Sequence, residues 1–210
     1  MRRYAGTLKG YDRDFFRGEF IPSGLTIAES NSRFVVSGFS EHRPASEMAC
    51  FNDPNSNSEA MLQVVHGYYE LGMNEDAWNE LRAVEKRFPQ TSAIIQMKLL
   101  LLIKDEQWND ALGFSEELRR MEPQNGAGFI HGAYCLHELS RTGDALELLE
   151  KAPESVREEA IYHYNKGCYQ AAIGDIETAR SCLQKSFDLD KSLVDVARKD
   201  PDLVALQGAL

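Results

Sequence analysis

The stretch Tyr68-Tyr69-Glu70-Leu71-Gly72-Met73-Asn74-Glu75-Asp76-Ala77-Trp78-Asn79-Glu80-Leu81 joins two apolar runs of helical period across a glycine. Its alanine recurs: Ala77, Ala111, Ala145 and Ala179 stand at a constant spacing of 34 residues. A fixed period of this length marks stacked helix–turn–helix units. A small residue recurs where two helices approach until their backbones touch. Upstream of the glycine, Met61, Val64, Val65 and Tyr68 follow the three- and four-residue spacing of one helix face. Gly72 ends that helix, as glycine does just past a C-terminus. Downstream, Asp76 opens a run in which Ala77, Leu81 and Val84 share a face, and Phe88-Pro89 closes the unit.

The frame then repeats. The second unit has Ile95, Leu99 and Leu102, a turn at Asp105-Glu106, then Ala111, Leu118 and Pro123. In the third, Ser140 takes the turn place, with Gly143 three later, and Pro153 truncates the second helix because its ring cannot continue a helix interior. Ser155 and Glu158 fit a capping box that starts the next helix early. The fourth unit runs through Tyr164-Asn165-Lys166-Gly167, Gly174, Ala179, Leu183 and Ser186. Beyond Asp190, residues 192–197 form an amphipathic helix with a Ser192…Asp195 box. Asp200-Pro201 sets an N-cap before an N1 proline. Repeat arrays need a terminal cap, since the last unit has no neighbour, and residues 191–210 supply one.

These residues resemble the tetratricopeptide repeat over roughly two-thirds of the chain. The first unit matches with Met61, Val65, Tyr68, Gly72, Ala77, Leu81, Val84 and Pro89. The fourth matches with His163, Gly167, Gln170, Gly174, Ala179, Leu183 and Ser186. Glu106 and Ser140 depart from the family glycine. The resemblance implies an all-α fold: a right-handed α-solenoid of about four helix pairs at 58–190, with the first helix of each pair lining a concave groove. Groove positions carried over are Leu62, His66 and Tyr69; Gln96, Leu100 and Ile103; Ile130, Tyr134 and His137; and Tyr164, Cys168 and Ala171. One known use of such grooves clamps the C-terminal carboxylate of heat-shock chaperones with lysine, asparagine and arginine. Here those places hold Leu62, His66, Met97, Ala127 and His131, so that clamp is absent. An apolar, aromatic lining suits a peptide gripped by its side chains, with affinity near ~1 μM, about −8 kcal/mol. Three alternatives stay open: groove residues such as Leu100 and Ile103 packed by a neighbouring helix, by a second copy of the chain, or by the aromatic leader.

The composition is that of an ordinary soluble protein: of 210 residues, 43% are hydrophobic and 27% charged. Formal net charge is −10. Residues 1–57 hold seven basic and seven acidic side chains, so the excess lies wholly in the repeats, with 16 against 26. An acidic array repels phosphate backbones and anionic lipid, which argues against nucleic-acid and membrane partners. Cys50, Cys135, Cys168 and Cys182 form no CxxC pair. Buried reduced thiols fit a cytoplasmic setting. Residues 1–57 lack the period and read as an irregular leader. A hairpin built from 25–28 and 33–37 is the alternative, and Met48 offers a second candidate start.

Signals of chemistry are weak. His66 and Glu70 share a helix face at metal-ligand spacing but lack a third ligand, so they read as a surface pair. His131 and His137 read as groove or boundary residues, and Cys168 and Cys182 as inert packing rather than a redox couple. Trp78 and Trp108 read as helix packing, and Asn165 as a bridge to the backbone of an adjacent unit. There is no G-x-S-x-G elbow and no glycine-rich loop leading from a strand into a helix. The expectation is a non-catalytic protein- or peptide-binding scaffold without cofactor or metal. The alternative is a dedicated chaperone or assembly factor shielding an apolar segment of one client.

Overall fold

The computed structural model describes residues 54–206; the leader and the candidate hairpin lie outside them. Helices follow one another as α1 (Pro54–Glu70), α2 (Asn74–Arg87), α3 (Ser92–Lys104), α4 (Trp108–Met121), α5 (Ala127–Glu138), α6 (Thr142–Glu150), α7 (Glu154–Arg157), α8 (Ala160–Ile173), α9 (Ile176–Leu189) and α10 (Leu193–Ala197). A 3₁₀ turn, Pro201–Leu206, follows. No strand occurs among the described residues. The pairs α1–α2, α3–α4, α5–α6 and α8–α9 each pack together, and α1, α3, α5 and α8 lie side by side through the stack. The first helix begins at Pro54, four residues before the boundary expected from the sequence.

The four turns inside the pairs show how the period becomes geometry. Gly72, Glu106, Ser140 and Gly174 stand 34 residues apart, and all are left-handed, with φ of 75°, 58°, 63° and 91°. Each donates its N–H three residues back, to the carbonyls of Tyr69, Ile103, His137 and Ala171. The following residue donates five back in every case, Met73 to Tyr68, Gln107 to Leu102, Arg141 to Leu136 and Asp175 to Gln170, over 2.8–2.9 Å. This is one Schellman closure made four times. Two are made without glycine, at a cost of roughly 1–2 kcal/mol each for a Cβ in the left-handed region. Glu106→Gly and Ser140→Gly are therefore expected to raise stability by about 0.5–1 kcal/mol, net of the freer unfolded chain. Gly174→Ala is expected to lower it by about 1 kcal/mol. Urea midpoints at constant slope read both signs.

The second helices bury one stripe each. Ala77, Leu81 and Val84 recur as Ala111, Ser115 and Leu118, then as Ala145 and Leu149 with Ala152 just past the end of α6, then as Ala179, Leu183 and Ser186; none is more than 1% exposed. The first helices are enclosed more completely, because pairs flank them on both sides: α3 buries nine of its 13 residues, from Ile94 to Ile103. The crossing of α4 and α5 is close. A Cβ at Gly128 would stand 3.0 Å from the Ser115 carbonyl oxygen, and one at Gly132 would stand 2.7 Å from the Ser115 hydroxyl. Arg119 ties the crossing by donating to the Gly128 carbonyl at 3.0 Å.

The third unit departs from its expected boundary. No Ser155…Glu158 box forms. Pro153 instead precedes the single turn α7, and Arg157 donates back to the carbonyls of Ala152 and Glu150, both at 2.8 Å, so α8 starts only at Ala160. At α10, Ser192 caps nothing; its hydroxyl is drawn to the Asp190 carboxylate, 2.7 Å away. The turn at Asp200-Pro201 forms as expected, with the Asp202 N–H donating to Asp200 Oδ1 at 3.0 Å. Asn165 is buried, but its Nδ2 finds no partner among the described residues, so it does not bridge to neighbouring backbone.

Candidate functional site

The groove positions stand on α1, α3, α5 and α8, which lie side by side as a seam more enclosed than an open trough. Tyr69, Gln96, Leu100, Ile103, Ile130, His137, Tyr164 and Cys168 are all buried, while Leu62, His66, Tyr134 and Ala171 are half-buried. At the N-terminal end, the His66 ring stacks on Tyr69 with centroids 6.0 Å apart, and His66 Nε2 lies 3.7 Å from Glu70 Oε1. Burial lowers the His66 pKa, Glu70 opposes that shift, and the Lys104 charge adds to it. Lys104 reaches across from α3, with Nζ 4.0 Å from the centre of the Tyr69 ring, and donates to the Tyr69 carbonyl. A cation over an aromatic face thus bolts the first two units together.

In the middle, Tyr134 meets Trp108 edge-on at 5.6 Å. Burial, reinforced by the Glu138 carboxylate, pushes its phenol above the ordinary range. Trp78 acts as a clamp between units, donating from Nε1 to Asp105 at 2.6 Å while Asn74 donates to the other carboxylate oxygen at 2.8 Å. Both tryptophans therefore pack helices, as their positions implied.

The C-terminal end is polar and closed. The Tyr164 hydroxyl donates to Asp200 Oδ2 at 2.7 Å, and the Cys168 thiol lies 3.7 Å from the same oxygen. His137 Nε2 lies 3.0 Å from Asp202 Oδ2, and His137 Nδ1 lies 3.0 Å from the Thr142 hydroxyl. Tyr169 lies tilted against the His137 ring, with centroids 4.7 Å apart. A cavity of about 20 Å³ is left among Tyr134, His137, Tyr164, Tyr169 and Asp200, room for roughly one water molecule. The buried Tyr169 hydroxyl on its wall has no partner among the described residues. Burial raises the pKa of Asp200, with the Tyr164 hydrogen bond opposing it, and raises that of the Cys168 thiol, with Asp200 adding to the shift. A thiol so raised stays protonated and is neither nucleophile nor ligand at neutral pH.

Of the candidate residues, His66 and Tyr69 meet at one end and Tyr134, His137, Tyr164 and Cys168 line one small cavity at the other, while Leu100, Ile103 and Ile130 are buried in three separate core clusters. Asp200 and Asp202 line that cavity as well, and sequence reasoning placed them only in the terminal cap. A signal existed: His66, Leu100, Tyr134, Cys168 and Asp202 form one series at 34-residue spacing, so the seam runs one step beyond the fourth pair. Among the described residues no group of three or more His, Cys, Asp or Glu is arranged to hold a metal ion. No described helix is long and apolar enough to cross a membrane.

No protein-family model matches the chain, and no curated protein matches it in sequence. Solved structures do match. A tetratricopeptide-repeat protein of Thermus thermophilus is 19% identical, with a TM-score of 0.59 over 72% of this chain and 91% of that one. MamA from Desulfovibrio magneticus is 15% identical, with a TM-score of 0.56 over 68% of this chain and 80% of that one. YrrB, described as a tetratricopeptide-repeat protein with an unusual peptide-binding site, is 21% identical, with a TM-score of 0.55 over 69% of this chain and 76% of that one. The chain has the tetratricopeptide-repeat fold.

Proposed function

We propose that the chain is a non-catalytic scaffold that binds a protein or peptide segment along the concave side of its stack. The observation that supports this reading is that four successive first helices lie side by side, and the repeat frame puts apolar and aromatic positions from Leu62 to Tyr164 on each of them. A frame built from buried helices loses little conformational freedom on binding, so modest contacts suffice for affinity. The peptide-binding site named for YrrB, a protein of the same fold, is consistent with this use of it.

The half-buried positions are where a ligand gains purchase without the frame being dismantled. Capture from a lysate by the wild type is compared with that by Leu62→Ser/Tyr134→Ala and by Met121→Ser, whose side chain is 44% exposed. The double variant is expected to weaken retained partners by about tenfold or more, a loss of ~1.4 kcal/mol. Met121→Ser is expected to retain them. Equal capture by all three places binding elsewhere.

A further inference from the structure

A terminal cap needs only to cover the apolar end of the last helix pair, and Leu193 and Ala197 of α10 are buried in the same core cluster as α8 and α9. Residues 200–206 do something else. They turn onto the seam, where the Asp200 carboxylate is only 5% exposed and Asp202 reaches α5 in the third pair. Burying a carboxylate is expensive unless donors await it, and a leucine or asparagine closes an array end at lower cost. Here two donors do await it, the Tyr164 hydroxyl and the Cys168 thiol on α8, and a ring nitrogen of His137 on α5 meets the second carboxylate, Asp202; all three stand at groove positions of two successive first helices. Leu203 and Leu206, 0% and 1% exposed, anchor the segment in the apolar core beside these donors, while Val204 between them is 61% exposed. Two carboxylates two residues apart, followed by a leucine, thus fill a site whose chemistry is complementary to them.

We propose that the C-terminal half of the concave seam is a receptor site for an acidic peptide segment carrying two carboxylates two residues apart and then a leucine, and that the chain's own Asp200-Pro201-Asp202-Leu203 is a displaceable plug holding it closed. This rests on the concave-face reading and names the ligand class for one end of that face. A partner segment of the same pattern takes the place of the plug, so the free chain binds weakly and a chain with a loosened plug binds well. The plug is short, a six-residue 3₁₀ turn held by two buried leucines, so loosening one of them is the way to open it.

The test uses a fluorescent peptide of sequence Lys-Asp-Pro-Asp-Leu-Val-Ala-Leu, the chain's own 199–206, and its twin with both aspartates changed to asparagine. Each is titrated into the full chain, into Leu203→Ser, into a chain ending at Arg198, and into Leu203→Ser with His137→Ala and Tyr164→Phe. Hydrogen exchange at 200–206 in Leu203→Ser reports whether the plug has opened. The expected result is at least about tenfold tighter binding of the acidic peptide by Leu203→Ser and the shortened chain than by the wild type, with that gain lost in the triple variant. If the opened chains take the asparagine peptide equally well, the acidic preference is overturned while the concave-face reading stands. If 200–206 opens and neither peptide binds, the receptor site itself is refuted. If Leu203→Ser leaves 200–206 protected and binding unchanged, the segment is a fixed cap and the plug is refuted.

Discussion

Leu149→Ala is expected to lower stability by about 2–5 kcal/mol, the range for a fully buried leucine truncated in a core that collapses only in part. Leu149 is 0% exposed on the inner stripe of α6. One unit earlier the equivalent place is Ser115, also 0% exposed, and there the sign of the size effect reverses. Gly128 and Gly132 bring α5 so close that no room exists for a larger side chain, and the Ser115 hydroxyl is already used, donating to Leu112 at 2.7 Å and accepting from Arg119 at 3.2 Å. Ser115→Leu is therefore expected to cost about 1–3 kcal/mol through overpacking. A generic apolar core would instead gain from a buried serine becoming leucine. Thermal melting resolves both changes, since each kcal/mol shifts the midpoint of a chain this size by roughly 2–4 °C. Stabilisation by Ser115→Leu is the outcome that contradicts the close crossing.

The second large effect is an acid limb set by a buried histidine. His131 is 1% exposed inside the stack, and burial pushes its pKa down to about 4. In the unfolded chain the same ring titrates near 6.5. Between these values the unfolded state binds the proton and the folded state does not, so stability falls as pH drops. Its contribution is whole above pH ~6.5 and is lost as pH falls toward ~4, a change on the order of 3 kcal/mol at about 1.4 kcal/mol per pH unit. His66 and His163 are shifted the same way by burial and add to the slope. Urea unfolding at pH 7 and pH 4.5 is expected to show this loss in the wild type and a visibly smaller one in His131→Leu. An identical slope in both contradicts the neutral buried ring.

What the residues reveal unaided follows from what repeats. A period set by helix packing is legible because each unit solves the same problem, so Ala77, Ala111, Ala145 and Ala179 and the turns at Gly72 and Gly174 announce themselves. The turns at Glu106 and Ser140 keep the same left-handed backbone without glycine, because the Schellman hydrogen bonds and the packed helices on either side impose it. Local solutions are harder to read. The Gly128–Gly132 face works only against Ser115 of a different helix, and the spacing of glycines alone does not show the partner. Pro153 correctly marked an early helix end, but the Arg157 bonds to Ala152 and Glu150, not a capping box, decide where α8 begins.

The seam shows the same division. The rows of groove residues follow from the period, yet their enclosure does not, since it depends on how tightly successive pairs close on one another. The role of Asp200 and Asp202 was hidden because the array ends in irregular backbone, where helical spacing no longer guides the eye. Continuing the register past the last pair recovers Asp202, whereas the inward turn at Asp200-Pro201 is a tertiary choice stabilised by Tyr164 and His137.

Partners are expected to meet the side formed by the first helices. Site-specific photocross-linking tests it most directly, with a benzophenone side chain placed in turn at Tyr134 and His66 on that side and at Met121 and Leu189, both exposed on second helices. Adducts to a discrete partner are expected from Tyr134 and His66, with little or none from Met121 and Leu189. Adducts arising only from the second-helix positions would contradict that expectation.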